Sequence, residues 1–199
     1  MLVIGLVGGI GSGKSVASAI LAELGAAVLN ADLVGHEVYE PGKPGFSAIV
    51  AEFGGDVVGA DGRIDRKTLG AMVFADGAKL ERLNAIVHPL IRAELEHRIA
   101  QARAAGEVRA VVVEAAILLE AGWRSLVDQV WVISARRDDV VERLAAQRGM
   151  GASEADARIA KQMTDAERRS AADVVIENLG TIDDLRARLA GLWQAVVPR

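Results

Sequence analysis

An apolar segment, Leu2 to Val7, runs directly into Gly8-Gly9-Ile10-Gly11-Ser12-Gly13-Lys14-Ser15, which spells G-x-x-x-x-G-K-[ST]. No other feature restricts the fold as strongly. A loop of this kind works only with a buried strand before it and a helix after it, because its backbone N–H groups and the helix N-terminus must converge on one anion. Val16 to Leu24 has the composition of that helix, so strand, loop and helix occur in the required order. The nucleotide-binding set expected from the loop is Gly8, Gly11, Ser12, Gly13, Lys14, Ser15 and Val16. In it Lys14 places a point charge near the β- and γ-phosphates of a nucleotide, and the Ser15 hydroxyl suits Mg²⁺.

The rest of the chain alternates short apolar runs with helical patterns, the signature of an α/β three-layer fold with a parallel sheet wrapped by helices. Five strands are expected, at Leu2 to Val7, Ala27 to Asn30, Arg109 to Glu114, Gln129 to Ser134 and Asp173 to Ile176. With 199 residues, 51% of them hydrophobic, the chain can bury one sizeable core. The reading is a single domain: a core of residues 1–32, 107–147 and 173–199, a helical substrate-side insertion over about 33–106 without a convincing strand, and a lid over about 148–172. The tail from Thr181 reads as an amphipathic helix with a threonine cap.

A net charge of -4 argues against nucleic acid as a partner, which needs a broad cationic surface. No run of 18 uncharged apolar residues is long enough for a membrane span, and no basic, apolar leader opens the chain. The absence of cysteine removes disulfide and thiolate chemistry and fits a cytoplasmic protein. Three scattered histidines offer no metal cage, and Trp123, Trp131 and Trp193 read as core.

Asp32 follows the second strand, and strand C-termini in open α/β sheets face the ligand crevice. A carboxylate there can orient a substrate hydroxyl or accept its proton, or it can simply cap a helix over Leu33 to Tyr39. Glu114 ends the third strand, a place suited to an acid near Mg²⁺, and Glu120 follows as a weaker candidate. Arg143, Arg148, Arg158 and Arg168 surround the lid segment, and guanidinium groups match phosphoryl oxygens bidentately. Asn178-Leu179-Gly180, after the last strand, lies where a base could be held. His88-Pro89 falls between two helical patterns, a better position for binding than for proton transfer.

Several separated motifs together resemble the dephospho-CoA kinase family. Gly5 to Ser15 is similar to its opening, Ala31-Asp32-Leu33-Val34 to its catalytic aspartate region, and Gly62-Arg63-Ile64-Asp65-Arg66 with Ile86-Val87-His88-Pro89 to its substrate-side helices. Arg158-Ile159 with Gln162, and Ala172 to Gly180, resemble its lid and final strand. The resemblance implies a P-loop kinase core and ATP- and Mg²⁺-dependent phosphorylation of the ribose 3′-hydroxyl of dephospho-CoA. It implies Asp32 and Lys14 as catalytic residues, and Asp32, Asp65, Arg66 and His88 on the acceptor; the reading of the lid arginines and of the turn after the last strand adds Arg148 as catalytic, Arg143 and Asn178 on ATP, and Arg158 on the acceptor. Ser15 would bind the metal, with Glu114 a further candidate. The family usually has an acid where this chain has Asn30. Rival readings are a kinase for a nucleoside monophosphate or small polyol, an ATP-gated binding module, and a GTPase suggested by D-x-x-G at Asp32 to Gly35. The last lacks an N-K-x-D base-reading motif.

Overall fold

A computed structural model describes residues 1–197, with the side chains of residues 147 and 148 outside the description. The chain forms two compact units, one of residues 1–30 and 99–199 and the other of residues 31–98.

The first unit is built on five parallel strands in the order β2-β3-β1-β4-β5. They are β1 (Leu2–Gly8), β2 (Ala27–Asn30), β3 (Ala110–Glu114), β4 (Gln129–Ser134) and β5 (Val174–Glu177), each within a residue or so of the sequence expectation. All five residues of β3 are buried, as a parallel strand covered on both faces requires. Side-chain alternation then sorts the core. Ile4, Leu6, Val112, Trp131 and Ile133 share one cluster with α1 (Lys14–Glu23) and α9 (Ile182–Val196). Each fully buried aliphatic of this kind contributes about 1.5–3 kcal/mol relative to exposure. The other face takes Leu118 and Val127, whose side chains come so close to Gly5 that a Cβ there would stand 2.7 Å from Leu118 Cδ1.

The long helix of the unit's C-terminus is specified locally. Thr181 Oγ1 accepts the Asp184 N–H while the Asp184 carboxylate accepts the Thr181 N–H, closing a capping box. Leu185, Leu189 and Trp193 then recur every fourth residue and are buried. Trp123 and Trp131 are also buried, in line with their reading as core residues. After β4 come α6 (Arg137–Arg148), α7 (Ala152–Ile159) and α8 (Asp165–Ser170), the last capped by a Thr164–Glu167 box and packed against β4 and β1.

Strand order places the phosphate loop. β1 is central, and the chain visits β2 and β3 on one side of it before crossing to β4 and β5. That reversal makes the carboxyl end of β1 the switch point at which open α/β sheets bind ligands.

The second unit contains α2 (Ala31–Glu37), α3 (Pro44–Phe53), α4 (Arg66–Phe74) and most of α5 (Gly77–Ala105), around a core of Ile49, Val57, Leu69 and Val73. One expectation is corrected here. His88-Pro89 does not separate two helices: α5 is continuous, with Pro89 inside it. The packing of Ile86 and Val87 on the unit's core outweighs the backbone hydrogen bond that proline removes. The segment also contains an antiparallel bridge, Val58 to Ile64, closed by Gly59 N–H to Arg63 C=O at 2.8 Å.

Candidate active site

The loop after β1 is held by its carbonyls. Asn178 Nδ2 donates to the Ser12 carbonyl at 2.8 Å, and Arg143 Nη1 lies 3.4 and 3.5 Å from the Gly11 and Ser12 carbonyls. In a trans peptide the C=O and the following N–H point opposite ways, so tying the Ser12 carbonyl to Asn178 turns the Gly13 N–H away from it. Helix α1 begins directly at Lys14, two residues earlier than expected. It has no side-chain cap and no acid in its first turn, which leaves its amide donors for an anion. Val16 is in the same turn and partly exposed. The sequence pointed to Arg143 and Asn178 as nucleotide contacts, and both are found gripping the loop itself.

Two glycines are required by close approach. A Cβ on Gly8 would lie 2.5 Å from Ser12 Oγ and 2.8 Å from the Ile133 carbonyl. Gly13 has φ 97°, and a Cβ there would lie 2.3 Å from Asn178 Nδ2. Gly13→Ala therefore incurs about 1–2 kcal/mol of left-handed strain and loses the buried bond to Ser12, a further ~1–3 kcal/mol. A lower melting temperature together with lost ATP binding is the expected result; a variant matching the parent in both measurements would show that the loop is not so constrained.

Beside the loop, Glu114 is 8% exposed and accepts from two donors: Ser15 Oγ at 2.9 Å and Asn30 Nδ2 at 3.3 Å. Strand register brings this about, since Glu114 pairs with Leu6 of β1 and with Asn30 of β2. A second carboxylate at position 30 would face Glu114 charge to charge; asparagine gives it a donor instead. Among the described residues no group of three or more His, Cys, Asp or Glu side chains could hold a metal ion. A hydroxyl beside one carboxylate fits the way Mg²⁺ is bound alongside phosphates, with few protein ligands.

The segment expected to form a lid approaches the loop through Gln162. Gln162 Oε1 accepts the Ile10 N–H at 2.9 Å. Gln162, Gly9, Ser12 and Arg168 line a cavity of about 450 Å³. Arg158 is spent on an exposed i, i+4 pair with Glu154 at 3.0 Å. The Arg148 side chain, expected to be catalytic, lies outside the described residues. Gln162 entered the sequence reading only through the family resemblance, because no spacing rule links it to a backbone amide 152 positions away.

In the second unit, Asp32 is exposed and stands in the first turn of α2, which begins at Ala31, so the expected capping position is not the one it takes. Asp65 is a cap: its carboxylate accepts from the Lys67 and Thr68 N–H groups and from Thr68 Oγ1, at 2.9, 3.2 and 2.7 Å. The Thr68 hydroxyl bond, first among these contacts, holds the Asp65 carboxyl below its ordinary range. Arg66 Nη1 lies 3.1 and 3.3 Å from the two ring nitrogens of His36. His36, Tyr39, Arg63 and Arg66 line a cavity of about 310 Å³. His88 is half-buried in α5.

Loss of solvent, then the Arg66 charge, push His36 below its ordinary value of 6.5, against the pull of Asp32; burial does the same to His88. For a base whose folded value is lowered, the unfolded chain binds more protons, so stability is complete above pH 6.5 and is lost as pH falls below it. The urea midpoint should drop between pH 7.5 and 5.5, and His36→Gln and His88→Gln should each flatten that slope. Slopes unchanged in both variants would refute the linkage.

A family model described as dephospho-CoA kinase matches residues 2–184. The chain is 46% identical over 195 residues to a dephospho-CoA kinase of Symbiobacterium thermophilum, spanning 98% of this chain and 81% of that protein. It is 44% identical over 198 residues to one of Geobacter sulfurreducens, spanning 100% of both. A crystal structure of a Thermus thermophilus protein superimposes with a TM-score of 0.83 at 30% identity, covering 99% of this chain and 98% of that one. With its loop, sheet order and near-complete span of these relatives, the chain belongs to the dephospho-CoA kinase family.

Proposed function

We propose that this protein transfers the γ-phosphoryl group of ATP to the ribose 3′-hydroxyl of dephospho-CoA, giving coenzyme A and ADP. The observation that carries this reading is the loop Gly8 to Ser15, its carbonyls tied back by Asn178 and Arg143 at the head of an uncapped helix. Family membership supplies the acceptor.

In the proposed reaction the acceptor oxygen forms a bond to the γ-phosphorus while the bond to the β,γ-bridging oxygen breaks, its electron pair leaving on ADP. The hydroxyl proton passes to Asp32. Lys14 and the loop amides hold the phosphates against which charge develops, and Arg148 adds a cation from the lid. Mg²⁺ would be held by the Ser15 hydroxyl with Glu114 behind it, and when bound supplies neutralisation of the β- and γ-phosphate charge. Glu114 orients Ser15, and Asn30 satisfies the second carboxylate oxygen. On the acceptor side the reading places Asp65, Arg66, His88 and Arg158. In it Asp65 acts by fixing the start of α4 and so the position of Arg66. No helix among the described residues is long and apolar enough to cross a membrane.

ADP release measured with dephospho-CoA, AMP, adenosine and shikimate as acceptors tests the reading. Dephospho-CoA is expected to be preferred by about 10²-fold or more, the scale on which a site built for one substrate rejects others. Equal rates with AMP or shikimate would overturn it.

A further inference from the structure

The lid side of the phosphate loop contains a cation to which the reaction above gives no role. Arg168, in α8, is 6% exposed, and its Nε has no hydrogen-bond partner. Its Nη1 lies beside the loop backbone, 3.1 Å from the point where a Cβ on Gly9 would stand. The carboxylates that bear on it electrostatically are those of Glu120, Asp165 and Glu167, and burial outweighs them, pushing its pKa down. Two of these acids are engaged elsewhere. Asp165 accepts from Ser134 Oγ and sits 3.8 Å from Arg169, and Glu167 closes the capping box with Thr164. Arg169, next in the chain, is by contrast bonded to both Ser134 and Glu177.

Ser12 Oγ, on the same cavity wall, is also buried without a partner. Two buried donors, on residues that line one cavity beside Gly9, are therefore left without partners. Burying a guanidinium without a matched acceptor is costly, and the cost is recovered only when an anion arrives. The group that brings an anion to this loop is the nucleotide. A planar guanidinium is suited to the equatorial oxygens of a phosphoryl group in flight, where charge spreads in a loose transition state.

We propose that Arg168 binds the terminal phosphoryl group of the nucleoside triphosphate from the lid side, opposite Lys14, and is a catalytic residue of the transfer. This rests on the kinase reading given above. Because the contact is to the γ-phosphoryl, Arg168 distinguishes ATP from ADP, which a residue that merely packs α8 on the loop does not.

The test compares the affinities of the full chain for AMP-PNP and for ADP by titration calorimetry, alongside kcat with dephospho-CoA, in the parent, Arg168→Met and Arg168→Lys. Arg168→Met should bind AMP-PNP about tenfold or more weakly, bind ADP within twofold of the parent, and lose roughly 10²-fold in kcat. Its melting temperature should hold or rise, since a desolvated charge has been removed. Arg168→Lys keeps the charge without the fork and should fall between, and it carries the same comparison if the methionine variant does not fold. Equal losses of AMP-PNP and ADP affinity, or no loss of either, would overturn the proposal while leaving the kinase reading intact. A parent protein that binds neither nucleotide would overturn both.

Discussion

Asp32→Asn should lower kcat about 10³-fold, within the ~10²–10⁴ that a positioned general base contributes, while ATP affinity stays within threefold. The substitution preserves shape and removes the proposed proton acceptor, so the loss falls on the transition state and not on nucleotide binding. The rival explanation is structural: an acid in the first turn of α2 interacts favourably with the helix dipole. That is worth about 0.3–1 kcal/mol at an exposed position, and asparagine is itself tolerated at helix starts. A dipole role alone would appear as a small stability change with full turnover. Steady-state kinetics with dephospho-CoA, together with a urea melt, separate the two. A parent-like kcat would reduce Asp32 to a helix-start residue and remove the base from the mechanism.

Lys14→Met should reduce kcat/KM by roughly 10³-fold and weaken ATP binding as well, because in the proposed reaction Lys14 acts on charge present in both ground and transition states. Lys14 is half-buried as the first residue of α1, where the helix adds its own positive end. The loop amides remain in the variant, so binding weakens and is not abolished. Lys14→Arg should fail to restore the rate, since the planar fork demands space that the compact ammonium does not. Calorimetric titration with ATP checks the first claim, and unchanged affinity in the methionine variant would mean that the cradle does not use this charge.

What was legible in the chain follows from how local each signal is. The phosphate loop, the parallel strands and the capped C-terminal helix are specified by neighbours in sequence: glycines at fixed offsets, apolar runs, and a threonine three residues before Asp184. The break expected at His88-Pro89 was wrong for the converse reason. Proline disfavours helix locally, and the contacts of Ile86 and Val87 that override it come from residues 49–73. The bridge from Val58 to Ile64 was missed because two paired residues leave too short an alternation to read.

The candidate site divides along the same line. Lys14 and Ser15 could be named from the loop motif, but not that Ser15 would meet Glu114, since that pair lies 99 positions apart and depends on β3 lying next to β1. Arg143 and Asn178 could be listed as polar groups near a nucleotide, whereas their use in turning the loop carbonyls outward needed the register of β4 and β5 and the packing of α6. Residue type and short spacing by themselves determined the glycine-rich loop motif and the α/β class, because backbone conformation and amphipathic period are encoded within a few residues; the family was legible only as a resemblance of several separated motifs. Which side chains are buried, paired or left without a partner, as at Arg168, was decided only by the tertiary structure, because desolvation depends on every element that closes around a group and no stretch of sequence contains them all.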